Sequence, residues 1–140
     1  MNESAEHIAM VELVLKHIHK LYCETMTLYS VTDLPGQASK VRPPAIGGYV
    51  PDIYCTDTHA SLVAVGEAKT SRDLHTARSL EQISAFYRHI TITKGGYLAI
   101  GVPWTEEAFV FNFIKRLATE TPPNQAKVSI VTEMRVLRCF

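Results

Sequence analysis

Apolar and polar positions follow two different periods along the chain, and each change of period marks a predicted element. Over residues 3–22 apolar side chains recur every three or four positions, which predicts an amphipathic helix. Residues 26–31 alternate as in a strand, and residues 46–56 and 61–69 predict two more strands. Only residues 57–60 connect the last two, so we expect an antiparallel hairpin.

The helical period returns at residues 74–91, where Ser71 or Asp73 is placed to cap the helix. Residues 97–102 form a continuous apolar run, which is typical of a strand covered on both faces of its sheet. This strand is expected at the centre of the sheet.

The last third of the chain predicts a helix capped by Thr105 and a strand over residues 127–133, and residues 134–140 extend that strand or form another. The element order is therefore αβββαβ followed by αβ. It predicts an α/β fold with a mixed sheet flanked by helices, and residues 1–140 are expected to form one domain.

Composition describes an ordinary globular chain of 140 residues, with 46% hydrophobic and 20% charged residues. No apolar run reaches the length of a membrane span, the first residues do not resemble a signal peptide, and the three cysteines form no C-x-x-C motif. We therefore expect a cytoplasmic protein with reduced thiols and no membrane partner. The 14 basic and 14 acidic residues argue against a protein that coats nucleic acid non-specifically.

Charge interrupts two of the apolar strands. Asp52 follows Pro51 in the first, and Glu67 and Lys69 close the second, where alternation places both on one face. Burying a carboxylate costs several kcal/mol, on the order of the whole net stability of many domains, unless a cation or hydrogen bonds compensate. Two carboxylates beside a lysine predict a site for a hard cation and an anionic substrate.

This pattern resembles the PD-(D/E)XK nuclease superfamily, which has the restriction-endonuclease-like fold. Pro51-Asp52 matches the first half of the motif, and Glu67-Ala68-Lys69 matches the second. The segment 82–87 is similar to the Q-x-x-x-Y helix motif of the RecB-like branch. Gln82 matches the first position, Phe86 stands where the tyrosine is expected, and Tyr87 follows one place later. The segment 48–52 resembles the first motif of archaeal Holliday-junction resolvases and VRR-NUC domains.

The resemblance implies a Mg²⁺-dependent nuclease, with Mn²⁺ as a substitute ion. Asp52, Glu67 and the backbone carbonyl of Ala68 would hold the metal, and Lys69 would act on the attacking water. The family often adds an acidic ligand from the first helix, for which Glu12, at the border of the apolar stripe, is the expected residue; an ordinary flank glutamate is the alternative. Gln82 is a further catalytic candidate, and a surface glutamine is its alternative.

The implied substrate is DNA, cut by an endonuclease rather than an exonuclease, with junction, repair, phage or defence substrates as structure-directed possibilities. Lys40, Arg42, Arg72 and Arg78 are candidate phosphate contacts, although each also fits a solvated surface charge. A homodimer or a targeting protein would extend the small binding surface. The alternatives are an RNA-directed nuclease and a binding or assembly module that has lost its activity.

Overall fold

The computed structural model describes residues 4–34, 41–93, 96–120 and 126–140. These residues form four α-helices and a six-stranded mixed sheet, which confirms the predicted fold class. The helices are α1 (Ala5–Tyr22), α2 (Ser71–Leu74), α3 (Ala77–Ile92) and α4 (Glu107–Glu120). The strands are β1 (Tyr29–Thr32), β2 (Ile53–Thr56), β3 (Leu62–Ala68), β4 (Tyr97–Gly101), β5 (Lys127–Val131) and β6 (Val136–Arg138).

Strand order in the sheet follows the order in the chain, from β1 to β6. The β1–β2, β2–β3 and β5–β6 pairs are antiparallel, whereas β3–β4 and β4–β5 are parallel. The predicted hairpin between β2 and β3 is confirmed. Every residue of β4 is buried, as expected for a central strand with helices on both faces.

The two faces of the sheet carry separate apolar cores. α1 packs on one face through Val11, Val14 and Ile18, which are fully buried. α3 and α4 cover the other face, where Phe86 and Ile114 belong to the same buried cluster. Among the described residues, no helix is long and apolar enough to cross a lipid bilayer.

The predicted strand over residues 46–56 is too long, because only Ile53–Thr56 is a strand. Ile46 and Tyr49 pair across a tight turn whose Gly47 and Gly48 have φ of 61° and 87°. Glycine adopts this left-handed backbone without the cost that a Cβ would add. Asp52 precedes β2 rather than lying in its middle, and its N–H donates to the Glu67 side chain instead of to the sheet ladder.

The predicted helix over residues 74–91 is interrupted. The short helix α2 is capped by Thr70 and α3 by Thr76, whose hydroxyl accepts from the Ser79 N–H at 3.1 Å. Thr105, the predicted cap of the next helix, caps no α-helix, because residues 104–106 form a 3-10 turn and α4 begins at Glu107. The Thr70 and Thr76 hydroxyls accept from backbone N–H groups of the first turns, which explains where α2 and α3 begin.

A register irregularity lies beside Val63. Pairing between β2 and β3 shifts between Cys55 and Thr56, which face Ala64 and Leu62 respectively. Val63 therefore packs in the α1 core with Ala64, not on the Glu67 face as strict alternation predicts. Beyond the irregularity the alternation holds, so Val65 packs on the side of α3.

Candidate active site

Asp52 and Glu67 are brought together by the register of the hairpin. Ile53 pairs with Gly66, so the residue before β2 lies beside the residue that follows Gly66 in β3. β3 lies between the antiparallel strand β2 and the parallel strand β4, and the site lies at the C-terminal end of β3. Asp52 is 8% exposed and Glu67 is 3% exposed.

Two reciprocal hydrogen bonds lock the pair in position. The Asp52 N–H donates to Glu67 Oε1 at 3.0 Å, and the Ala68 N–H donates to Asp52 Oδ2 at 2.9 Å. The Lys69 N–H donates instead to the Gly101 carbonyl at 2.9 Å, on the side of β4. Because the N–H and C=O of an extended residue point to the same side, the Ala68 carbonyl faces the side on which Asp52 lies.

A basic side chain contacts each carboxylate. Lys69 Nζ lies 3.1 Å from Glu67 Oε2, and it also donates to Gln82 Oε1 at 2.5 Å. His7 Nε2, from the first turn of α1, lies 3.2 Å from Asp52 Oδ2. Helices on both faces of the sheet thus reach the site at the end of β3: α1 supplies His7 and α3 supplies Gln82.

The two carboxyl groups have opposite pKa shifts. Burial, together with the negative charge of Asp52, raises the pKa of Glu67 well above its ordinary value, against the opposing effect of Lys69. Burial also acts to raise the pKa of Asp52, but the hydrogen bonds from His7, Glu67 and the Ala68 N–H outweigh it and the pKa is lowered. Added positive charge at the pair would therefore favour ionised Glu67.

The pair lies in the wall of a pocket of about 700 Å³, called here the carboxylate pocket. Four carboxyl side chains line it, namely Asp33, Asp52, Glu67 and Asp73, and its lysine and arginine side chains are Lys69 and Arg78. The lining therefore has an excess of negative charge when all four carboxylates are ionised. Such a pocket repels a phosphate group unless a cation enters with it.

Glu12, the expected helix ligand, is exposed on α1 and does not line the carboxylate pocket. His7 reaches the pocket instead, although no motif singles it out. One signal was present in the sequence: His7 begins the buried series His7, Val11, Val14 and Ile18, spaced by four, three and four residues. A histidine on an apolar stripe needs a polar partner in the fold.

The aromatic residues of the helix motif lie in the core. Phe86 and Tyr87 are both fully buried beneath α3, and neither lines the carboxylate pocket. The Tyr87 hydroxyl has no hydrogen-bond partner among the described residues. Gln82 alone of this motif reaches the site, through Lys69.

The four candidate phosphate contacts are in different situations. Arg78 lines the carboxylate pocket, and its guanidinium carbon lies 5.2 Å from the centre of the Tyr49 ring. Arg42 is exposed and lies 3.4 Å from Asp33, which lines the pocket. Arg72 is exposed and outside the lining. Lys40 lies outside the described residues.

The candidate ligands for a divalent ion are oxygen atoms of the two carboxylates and the Ala68 carbonyl, which points to the side on which Asp52 lies. No group of three or more His, Cys, Asp or Glu side chains in the described part of the chain is arranged as a metal site. Mg²⁺ prefers oxygen and keeps several of its waters, so two carboxylates and a carbonyl suit it. The excess of carboxylates in the lining suits a cation.

Comparison with known proteins gives no relative: no family model matches the chain, and neither do any curated protein or solved structure.

Proposed function

We propose that this protein is a divalent-metal-dependent nuclease that hydrolyses phosphodiester bonds of DNA in the carboxylate pocket. The observation that carries the proposal is the meeting of Asp52, Glu67 and Lys69 in the wall of an acidic pocket. A buried pair of carboxylates is destabilising when unused, so a binding role explains why the fold retains it. The resemblance to PD-(D/E)XK nucleases supports the same assignment.

The proposed metal residues are Asp52, Glu67 and the Ala68 carbonyl, with Mg²⁺ or Mn²⁺ as the ion. Such an ion supplies a Lewis acid for the phosphate and lowers the pKa of a bound water. Lys69 would add a positive charge that stabilises negative charge on the phosphate oxygens, and Gln82 fixes the position of Lys69 by accepting a hydrogen bond from its ammonium group. His7 orients Asp52 by contacting Oδ2.

Arg78 is the proposed contact to the substrate backbone at this pocket, because it is the one that lines the pocket among the described candidates Arg42, Arg72 and Arg78. Cutting is proposed to be endonucleolytic. A homodimer or a targeting partner is part of the proposal, since a neutral chain of 140 residues offers little surface for reading sequence. Cytoplasmic location is likewise proposed from the sequence.

A second candidate function is a binding or assembly module. Two observations favour it: each carboxylate is already satisfied by internal partners, and the described residues contain no ready set of three metal-binding side chains. In that case the Asp52–Glu67–Lys69 network would only hold the ends of β2 and β3 together.

The two functions are separated by incubating the protein with labelled single-stranded, duplex, flap and four-way-junction DNA, and with the matching RNA strands, in Mg²⁺, Mn²⁺ or EDTA. The test variants are Glu67→Gln and Lys69→Met. Their matched controls are Glu120→Gln and Lys127→Met, which change exposed residues outside the carboxylate pocket.

Cutting that requires metal, is lost in both test variants and survives in both controls is the expected result. Removing one such catalytic group lowers the rate by about 100-fold or more. Cutting that persists in the two test variants would contradict the proposal. No cutting of any strand by folded wild-type protein would favour the binding module.

A further inference from the structure

A second pocket adjoins the carboxylate pocket. It has a volume of about 660 Å³ and lies against the outer side of α3; it is called here the α3 pocket. The rings of Tyr49 and Phe113 and the exposed side chain of Ile92 give it apolar surface, and Arg88, His89 and Glu81 give it polar groups. This volume is within the range of small-ligand sites.

The two pockets share one thin wall. In the 46–50 turn, Gly47 and Tyr49 line the α3 pocket, whereas Gly48 and Val50 line the carboxylate pocket. Along α3 the lining changes in the same way: Glu81 lines the α3 pocket and Gln82 lines the carboxylate pocket. Successive residues therefore face successive pockets, and the pockets are separated by about one layer of side chains.

The turn packs so closely against α3 that a side chain does not fit at Gly47. A Cβ added to Gly47 would lie 3.0 Å from Ala85 Cβ on α3, and the φ of Gly47 is 61°. Only glycine fits this close approach without strain. The turn is held against the helix by Tyr49, whose hydroxyl donates to Glu81 Oε2 at 2.8 Å.

Charge along the wall suits a nucleic-acid strand. Arg78 lies over the Tyr49 ring and lines the carboxylate pocket, while Arg88 lines the α3 pocket. Arg88 is six residues beyond Gln82, which corresponds to about 9 Å along the helix. Consecutive phosphates of one strand span such a distance within about three nucleotides.

We propose that the α3 pocket receives the base of an unpaired nucleotide from the same strand whose phosphodiester lies in the carboxylate pocket. Aromatic rings and arginine planes stack with any base, and Glu81 is an acceptor for its N–H groups. A base inside a continuous duplex is stacked and paired, so it enters such a pocket only at the cost of the stacking and pairing it loses, which an unpaired base largely avoids. The substrate class is therefore a strand with unpaired nucleotides, such as a single strand, flap or loop.

This inference rests on the proposed nuclease function for its substrate, but its test measures binding and needs no cutting. Fluorescence anisotropy in Ca²⁺, an oxygen-binding cation that can enter the carboxylate pocket with the phosphate, would compare labelled single-stranded 12-mers, in DNA and RNA series, each lacking the base at one position. Removing the base that occupies the pocket is expected to weaken binding by about 5- to 100-fold, whereas removal elsewhere in the strand has a smaller effect.

Variants connect the effect to this pocket. Tyr49→Ala should weaken binding to an intact strand and remove the sensitivity to the missing base, whereas Tyr49→Phe keeps the ring and should retain both. Arg88→Glu should weaken binding several-fold. Its matched control, Arg138→Glu, changes an exposed arginine that lines a different pocket with Tyr22 of α1. This control should bind as the wild type does.

Three results would overturn the inference: equal binding to every strand with a missing base, Tyr49→Ala binding like the wild type, or tighter binding to continuous duplex than to a single strand. Metal-dependent cutting together with any of these leaves the nuclease proposal standing and removes the base pocket. Base-dependent binding without cutting in Mg²⁺ would leave the base pocket standing and remove the nuclease.

Discussion

The packing of α1 on β4 leaves no room for a side chain at Gly101, and this contact positions the helix that carries His7. A Cβ added to Gly101 would lie 2.4 Å from Val14 Cγ2 and 2.9 Å from Met10 Cγ. Met10 is flexible and can move, but Val14 is fully buried and stiff at χ1. Gly101→Ala is therefore expected to lower the free energy of unfolding by about 1–3 kcal/mol through overpacking.

A double substitution isolates the cause. Val14→Ala removes the clashing methyl group, and by itself it should cost about 2 kcal/mol, from two lost methyl groups at about 0.8 kcal/mol each plus a cavity term. In the Val14→Ala/Gly101→Ala protein, the new Cβ occupies part of that space. The double variant should therefore be no less stable than Val14→Ala alone, which is a coupling of about 1–3 kcal/mol.

Urea unfolding with linear extrapolation measures each free energy. The matched control is Val11→Ala, because Val11 is equally buried on α1 but is not among the atoms nearest the added Cβ. With Val11→Ala, the cost of Gly101→Ala should add. The reasoning is refuted if the Val14 and Gly101 costs add within about 0.5 kcal/mol, or if Gly101→Ala costs less than about that amount.

Three further predictions concern single residues. A carboxyl group with a raised folded-state pKa binds its proton more tightly in the folded protein than in the unfolded protein. Ionised Glu67 therefore costs stability once the pH rises above 4.5, the ordinary pKa of a glutamate side chain. In EDTA, Glu67→Gln should therefore gain stability relative to wild type as the pH rises above 4.5, and a difference that is constant with pH would contradict this. Tyr87→Phe removes a buried hydroxyl without a partner among the described residues, so urea unfolding should show equal or higher stability; a loss above about 1 kcal/mol would mean that the hydroxyl is bonded. Gly48→Ala has no atom within 4 Å of its new Cβ, so its cost of about 1 kcal/mol should come from a φ of 87° alone; an unchanged midpoint in urea would refute that.

Local pattern predicted most of the fold. The continuous apolar run at residues 97–102 identified the central strand, and the short link before Leu62 identified the hairpin. Pattern failed where side-chain oxygens compete for backbone N–H groups. Thr76 caps α3, which begins three residues after the expected start, and the Glu67 carboxylate accepts the N–H of Asp52, which stays outside β2. Periodicity does not measure these local hydrogen bonds.

The candidate site could be predicted as far as neighbouring strands determine it. Asp52, Glu67 and Lys69 meet because the hairpin register brings them together. His7 was not predictable in the same way, because it is 45 residues from Asp52 and depends on how α1 crosses the sheet. No local pattern encodes such a long-range contact, although a histidine on an apolar stripe indicates that one is needed.

The most direct test of the account is a calorimetric titration of Mg²⁺ and Mn²⁺ into wild-type protein, Asp52→Asn, Glu67→Gln and the control Glu120→Gln, with folding checked by circular dichroism. The account predicts binding to wild type and control that is lost in both site variants. It also predicts that metal at 100 times its Kd stabilises only the binding proteins, by about 2.7 kcal/mol. Wild-type protein that binds neither ion, or equal binding by all four proteins, would contradict a cation site at Asp52 and Glu67.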